Sequence, residues 1–268
     1  DMSKKPVENI VELLSKENYQ TGLIATSSIT HATPASFYAH VISRDWEEEI
    51  AVQMATSSID FFAGGGLKFF QNRKDGKNLL DLLENNGFAI HTDAIDQKID
   101  RSKRHAFLLG QEEMLKMIEG RGNFLEKSTQ KALSYFEDNS APFFLMAEGS
   151  QIDWGGHDND ANYLITELLD FDKMVGYVLD YAEKEGNTLV IVTADHETGG
   201  FTLSGKVTGQ NSEGEDEHNY NVIVPTFSTT GHSAALIPVL AFGPHASLFS
   251  GFYQNTDIYH KIRKALAP

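Results

Sequence analysis

The chain has 268 residues, 41% hydrophobic and 22% charged, the balance of a globular protein with a sizeable buried core. A formal charge of -16 argues against nucleic acid or anionic lipid as the main partner, and no apolar run approaches the ~18 residues that span a bilayer. The lack of cysteine excludes thiolate zinc sites and disulfides, whereas the surplus of carboxylates leaves ligands for cations, which together with one Arg can hold a phosphate ester.

In chain order, Val7, Ile10, Val11 and Leu14 share one face of a helix expected over 6–17, with Pro6 in its first turn. Residues 21–26 read as a short buried strand. The polar turn Ser28-Ile-Thr-His31-Ala-Thr33-Pro34 then opens a helix from Pro34 to about Ser43, closed by Arg44. A helix over 46–56 carries Glu in its first turn, where the helix dipole favours it. Strands are expected at 59–63, 88–91 and 106–109, a short helix at 77–85, a surface connection over 92–104, and a helix over 124–138. The apolar run 142–147 is a buried strand, and 148–157 reads as a tight loop permitted by Gly149, Gly155 and Gly156. A long amphipathic helix follows from Leu164 and ends near Gly186, then the strand 188–193. Residues 203–220 are polar and acidic and read as a solvated surface insertion. A strand at 236–242 and a helix near 256–266 complete the chain. Strands alternating with helices predict an α/β fold with a mostly parallel sheet, in a single domain over 1–268.

Glu148, Asp153, His157, Asp195, His196 and His232 each lie just past a strand or in a Gly-bearing stretch, where open α/β sheets place their sites. Imidazole and carboxylate suit Zn²⁺. Asp153, His157 and His232 suffice for one ion, and Asp195 with His196 can begin a second. Glu148 with the Thr33 hydroxyl suits an oxygen-ligated Mg²⁺. Against this stands the plainer reading, in which each such His is a satisfied structural residue, each Asp a helix cap, and Arg44 a helix-end charge. His40, His91, His105, His218, His245 and His260 are assigned to that reading.

Four segments carry a resemblance. Thr30-His-Ala-Thr-Pro-Ala35, Glu148-Gly-Ser-Gln-Ile-Asp-Trp-Gly-Gly-His157, Thr193-Ala-Asp-His-Glu-Thr-Gly-Gly-Phe201 and Gly231-His-Ser233 resemble the alkaline phosphatase family, in that family's order and with Arg44 at the expected distance. The similarity runs from about residue 6 to 266 and corresponds to the C-terminal two thirds of the family's domain. It implies a three-layer sandwich around a mostly parallel sheet, and hydrolysis of phosphate monoesters through a phosphoserine intermediate with two Zn and one Mg. It assigns Asp153, His157 and His232 to the first zinc, Asp195 and His196 to the second, Thr33 and Glu148 to magnesium, and Arg44 to two phosphate oxygens. His31 and Trp154 stand where other members carry Asp and Lys, near the third metal and the water beside the phosphate. His31 adds an imidazole there, which makes a third Zn the alternative to Mg. Small phosphate monoesters as substrates, inorganic phosphate as product, a homodimer and a periplasmic or extracellular location are further implications.

One departure qualifies the resemblance. The family's nucleophilic serine lies in an Asp-Ser-Ala motif, and no Asp-Ser dipeptide occurs in these residues. The expectation is that this chain is the larger piece of a longer enzyme, whose N-terminal third carries the nucleophile and one more sheet strand. Asp1, which is not an initiator, agrees with that. The rival expectation is a truncated or degenerate domain that binds metal and phosphate without turnover.

Overall fold

The structure is a computed structural model that describes residues 5–137 and 141–266. It divides into two compact units, residues 1–150 with 169–180, and residues 151–168 with 181–268.

The first unit is built on five parallel strands, β1 (Gln20–Ser28), β2 (Phe61–Gly65), β3 (Phe88–His91), β4 (Arg104–Leu108) and β5 (Phe143–Glu148). Their order across the sheet is β3-β4-β2-β1-β5. Helices lie on both faces: α1 (Ile10–Lys16), α3 (Glu47–Thr56), α4 (Lys68–Gln71) and α5 (Leu79–Asn85), and opposite them α6 (Phe124–Glu137) with residues 169–180. Adjacent strand residues show the two-sided burial. Phe61 joins Phe107, Tyr135, Phe136 and Met174 in one core, while Phe62 packs on Phe70 and Phe88. A sheet covered on both faces needs continuous apolar strands, and β1 and β2 are buried almost throughout. The expected helix-flanked parallel sheet is therefore present.

Two helices depart from expectation for local reasons. α1 begins at Ile10 because Asn9 and Glu12 form a reciprocal capping box, which leaves Pro6 outside. The helix expected from Pro34 to Ser43 is the single turn α2 (Ala32–Ser36). Beyond it, the Gln53 side chain binds both the N–H and the carbonyl of His40, so neither group joins a helical ladder. Arg44 thus sits in a loop and closes no helix. The order in which strands are added reverses at β1, with β2 on one side of it and β5 on the other. Glu148 ends β5 opposite Ala25 of β1, at this switch point, where such sheets open a crevice.

The second unit contains α7 (Gln151–His157), the two ends of α8 (Ala161–Glu185), and three small antiparallel pairs. These are β6 (Val190–Val192) with β11 (Leu240–Phe242), β7 (Glu197–Thr198) with β10 (His232–Ser233), and β8 (Thr202–Gln210) with β9 (Asp216–Thr226). α9 (Asp257–Leu266) closes the described chain, and α8 ends at Gly186 as expected. The 203–220 stretch, expected as an irregular loop, is most of the β8–β9 hairpin, with its turn at 211–215. It is solvated as expected, yet Leu203, Val207, Tyr220 and Ile223 are all at least half exposed on it.

Candidate metal centre

The Gly-bearing stretch after β5, expected as a loop, is the helix α7. That matters because Asp153 and His157 are then i and i+4, stacked on one helix face. Its glycines serve close packing instead of turning. A Cβ on Gly155 would lie 2.6 Å from the Leu164 nitrogen, and one on Gly156 would lie 2.8 Å from the Thr198 carbonyl oxygen. α7 therefore lies directly against β7, and β10 pairs with β7 through His232↔Thr198 and Ser233↔Glu197.

This packing gathers three ligand atoms. His157 Nε2 lies 3.4 Å from Asp153 Oδ1, His232 Nε2 lies 3.9 Å from the same oxygen, and the two Nε2 atoms are 3.3 Å apart. Among the described residues, Asp153, His157 and His232 form the group able to hold a metal ion. Zinc with bonds of ~2.0–2.1 Å to nitrogen and oxygen has tetrahedral edges of about 3.3–3.4 Å. Two of the three separations match that edge, and the third is wider by half an ångström. Beside this group, His196 Nε2 lies 3.2 Å from Asp195 Oδ2, again near a tetrahedral edge, and the His196 ring stacks on His232 with centroids 3.5 Å apart. Four of the five candidate zinc ligands are thus half-buried or edge-exposed around one ring stack, and Asp195 is the open member at 73% side-chain exposure.

The hydrogen bonds select the tautomers that metal binding requires. His157 Nδ1 can only donate to the Thr230 carbonyl, 2.6 Å away, which leaves Nε2 with its lone pair facing the cluster. The Thr198 hydroxyl donates to Asp153 Oδ1 at 2.5 Å. Having spent its proton there, it accepts from His196 Nδ1 at 3.1 Å, which frees His196 Nε2 in turn. Thr198, not singled out from sequence, therefore orients two candidate ligands. The signal was available: it lies two residues after His196 on a strand, hence on the same face. Glu197, on the opposite face, accepts from the Gly200 and Phe201 N–H groups and faces Ser233 across the ladder. Burial pushes its carboxyl pKa up, but the Ser233 hydroxyl and these N–H groups outweigh that and lower it.

In the first unit, Glu148 lies at the switch point. Glu148 accepts from the Ser150 hydroxyl at 2.6 Å, and Ser150 reaches the Ser27 hydroxyl at 3.0 Å, a chain that sequence reading missed. Thr33 lies on α2, just past β1, so it and Glu148 follow adjacent parallel strands. The Arg44 guanidinium donates to His31 Nε2 at 3.0 Å, so His31 is neutral there with its proton on Nδ1. Glu47 accepts from both the Ser28 and Thr30 hydroxyls and ties the 28–33 turn to α3. Trp154 lies on α7 between Asp153 and Gly155. Of the histidines set aside, His40 pairs with Glu12, and His91 with the fully buried His105.

Residues 1–227 match the family model described as alkaline phosphatase. The chain is similar to alkaline phosphatase 4 of Bacillus subtilis, 30% identical over 99% of this chain and 71% of that protein. It is similar to the repressible alkaline phosphatase of Saccharomyces cerevisiae, 32% identical over 78% of this chain and 43% of that one. Among solved structures, the alkaline phosphatase from the Antarctic bacterium TAB5 superimposes with a TM-score of 0.91 at 51% identity, covering 98% of this chain and 76% of that chain. A variant of the TAB5 enzyme has been described with Mg bound in its M3 site. The cold-active enzyme of Shewanella sp. gives a TM-score of 0.87 at 25% identity, over all of this chain and 80% of that one.

Proposed function

The chain belongs to the alkaline phosphatase family, and from that premise we propose that it supplies the metal- and phosphate-binding part of a phosphomonoesterase working through a phosphoserine. The family and the fold support phosphate monoester hydrolysis in general. The observation that carries the finer reading is the convergence of Asp153, His157 and His232 at zinc-like separations, with tautomers set by Thr230 and Thr198. Asp153, His157 and His232 hold the first Zn²⁺ in this reading, Asp195 and His196 the second, and Thr33 with Glu148 a Mg²⁺, or a third Zn²⁺ with help from His31. When bound, the ions supply Lewis acidity to the oxygens entering and leaving phosphorus.

The chain's own residues do the rest. Arg44 offers two parallel N–H groups to two phosphate oxygens, a geometry Lys cannot copy, and as it turns to phosphate it gives up its bond to His31 Nε2, which leaves that lone pair for a cation. Thr198 fixes the Asp153 carboxylate by donating to its Oδ1, and keeps the His196 proton on Nδ1, away from the reacting atoms. The serine that takes up the phosphoryl group is drawn from outside these 268 residues. Small phosphate monoesters are the substrates and inorganic phosphate the product. A homodimer completes the reading, supported by the exposed apolar residues of β8–β9, as does a periplasmic or extracellular location. No helix among the described residues is long and apolar enough to cross a membrane.

The test is zinc-dependent hydrolysis of p-nitrophenyl phosphate by a protein carrying these residues with the serine-bearing segment. Failure to detect it in chelator-free buffer with added zinc overturns the reading. The absence of an Asp-Ser dipeptide favours a second reading for the 268 residues alone, namely binding without turnover. Isothermal titration of phosphate into the zinc-loaded chain then shows heat without hydrolysis, and hydrolysis by these residues alone defeats it.

A further inference from the structure

We propose that Glu197 is a positioning residue whose carboxylate clasps β7 to β10 and so places His196 and His232 for zinc. This rests on the zinc reading above. The β7–β10 ladder consists of two residue pairs, too short to fix its own register. Because strand side chains alternate, Thr198 and His232 lie on one face and Glu197 and Ser233 on the other. A slip of one residue turns His232 to the wrong face and dissolves the cluster.

The Glu197 carboxylate opposes that slip from behind. It accepts from the Gly200 N–H at 3.2 Å and the Phe201 N–H at 3.0 Å, and it faces Ser233, its partner across the ladder, whose hydroxyl and N–H help hold the carboxyl pKa down. The two N–H groups of the turn converge because Gly199 and Gly200 adopt φ of 88° and 57°, a left-handed path open to glycine. One side chain thus joins the turn that follows Thr198 to the residue that follows His232. A further bond from the Gly199 N–H to the Gly231 carbonyl, 2.9 Å, runs alongside. Each His is the immediate chain neighbour of a clasped residue, so the clasp acts on ligand direction and touches no substrate.

The test uses zinc-free protein titrated with Zn²⁺ against a fluorescent chelator, and with Co²⁺ followed by its visible absorption. For Glu197→Ala the expected result is zinc binding weakened roughly 10- to 100-fold, the usual scale for groups that orient ligands, with Co²⁺ bands shifted from those of the wild type. Glu197→Gln keeps one accepting oxygen and falls between the two. Ser233→Ala, which removes one hydroxyl from the clasp, loses several-fold and guards against misfolding of the Glu197 variants. Zinc affinity within about threefold of wild type for Glu197→Ala, with an unchanged Co²⁺ spectrum, overturns the clasp while leaving the zinc site standing. A lower melting temperature without any loss of zinc affinity also overturns it, since the role is then merely structural. Failure of the wild type to bind zinc removes the site and the clasp together.

Discussion

Replacing Thr198 by Val keeps the size and β-branching of a residue only 9% exposed and removes one hydroxyl. That hydroxyl donates to the Asp153 carboxylate at 2.5 Å and accepts from His196 Nδ1 at 3.1 Å. A hydrogen bond to a charged group is worth about 1.5–3 kcal/mol, and each ~1.4 kcal/mol is a factor of ten in affinity. In the variant the free carboxylate can rotate and His196 can adopt the other tautomer, so zinc must restore both arrangements on binding. The expected loss is about 10- to 100-fold in zinc affinity, and Thr198→Ser, which retains the hydroxyl, loses little. The assay is competition for Zn²⁺ between the metal-free protein and a chelator of known affinity, with the melting temperature of the metal-free form as the control. A Val variant that binds zinc within about twofold of wild type refutes the argument that this hydroxyl orients the ligands.

Three further outcomes are expected. Gly156→Ala puts a methyl 2.8 Å from the Thr198 carbonyl and 3.0 Å from its Cβ, so α7 must retreat from β7; the cost of overpacking is about 1–3 kcal/mol in urea unfolding, together with weaker zinc binding. Phe136→Ala empties a site 1% exposed, where the ring stacks on Phe143 at 5.3 Å, and costs about 3–5 kcal/mol by the same measurement. His91 is held down to a pKa of about 4, first by burial and then by the neighbouring His105 and Lys131. The folded state therefore binds fewer protons than the unfolded chain below its ordinary value of about 6.5. This contribution to stability is complete above that value and lost as pH falls toward about 4. Unfolding midpoints measured from pH 7 to 5 should decline, and less steeply for His91→Asn, whose amide still donates to His105 without titrating.

Much of the architecture is legible in the residues themselves. The alternation of apolar strands with amphipathic helices requires a parallel sheet covered on both faces, and Phe61 and Phe62 show both faces filled. Metal-ligand chemistry is equally local. Carboxylate or imidazole placed at or just beyond strand ends at 148–157, 195–196 and 232 names candidate cation ligands before the backbone path there is known. The hairpin at 202–226 escaped notice because both its faces are solvated, so no apolar alternation betrays a strand.

Residue types and strand periodicity, which depend only on neighbours along the chain, were enough for the fold class and for naming carboxylates and imidazoles as candidates, while their assignment to particular ions came from the family resemblance. Asp and His four apart look the same in a loop or a helix, and only packing against Leu164 and Thr198 makes 151–157 helical and aims both side chains together. Arg44 leaves its expected helix because Gln53, distant in sequence, captures the His40 peptide. The register of β7 on β10 likewise sets Glu197 opposite Ser233, residues more than thirty apart in the chain. Such contacts bring together groups separated by loops, and their energy is decided by three-dimensional packing that no local pattern encodes.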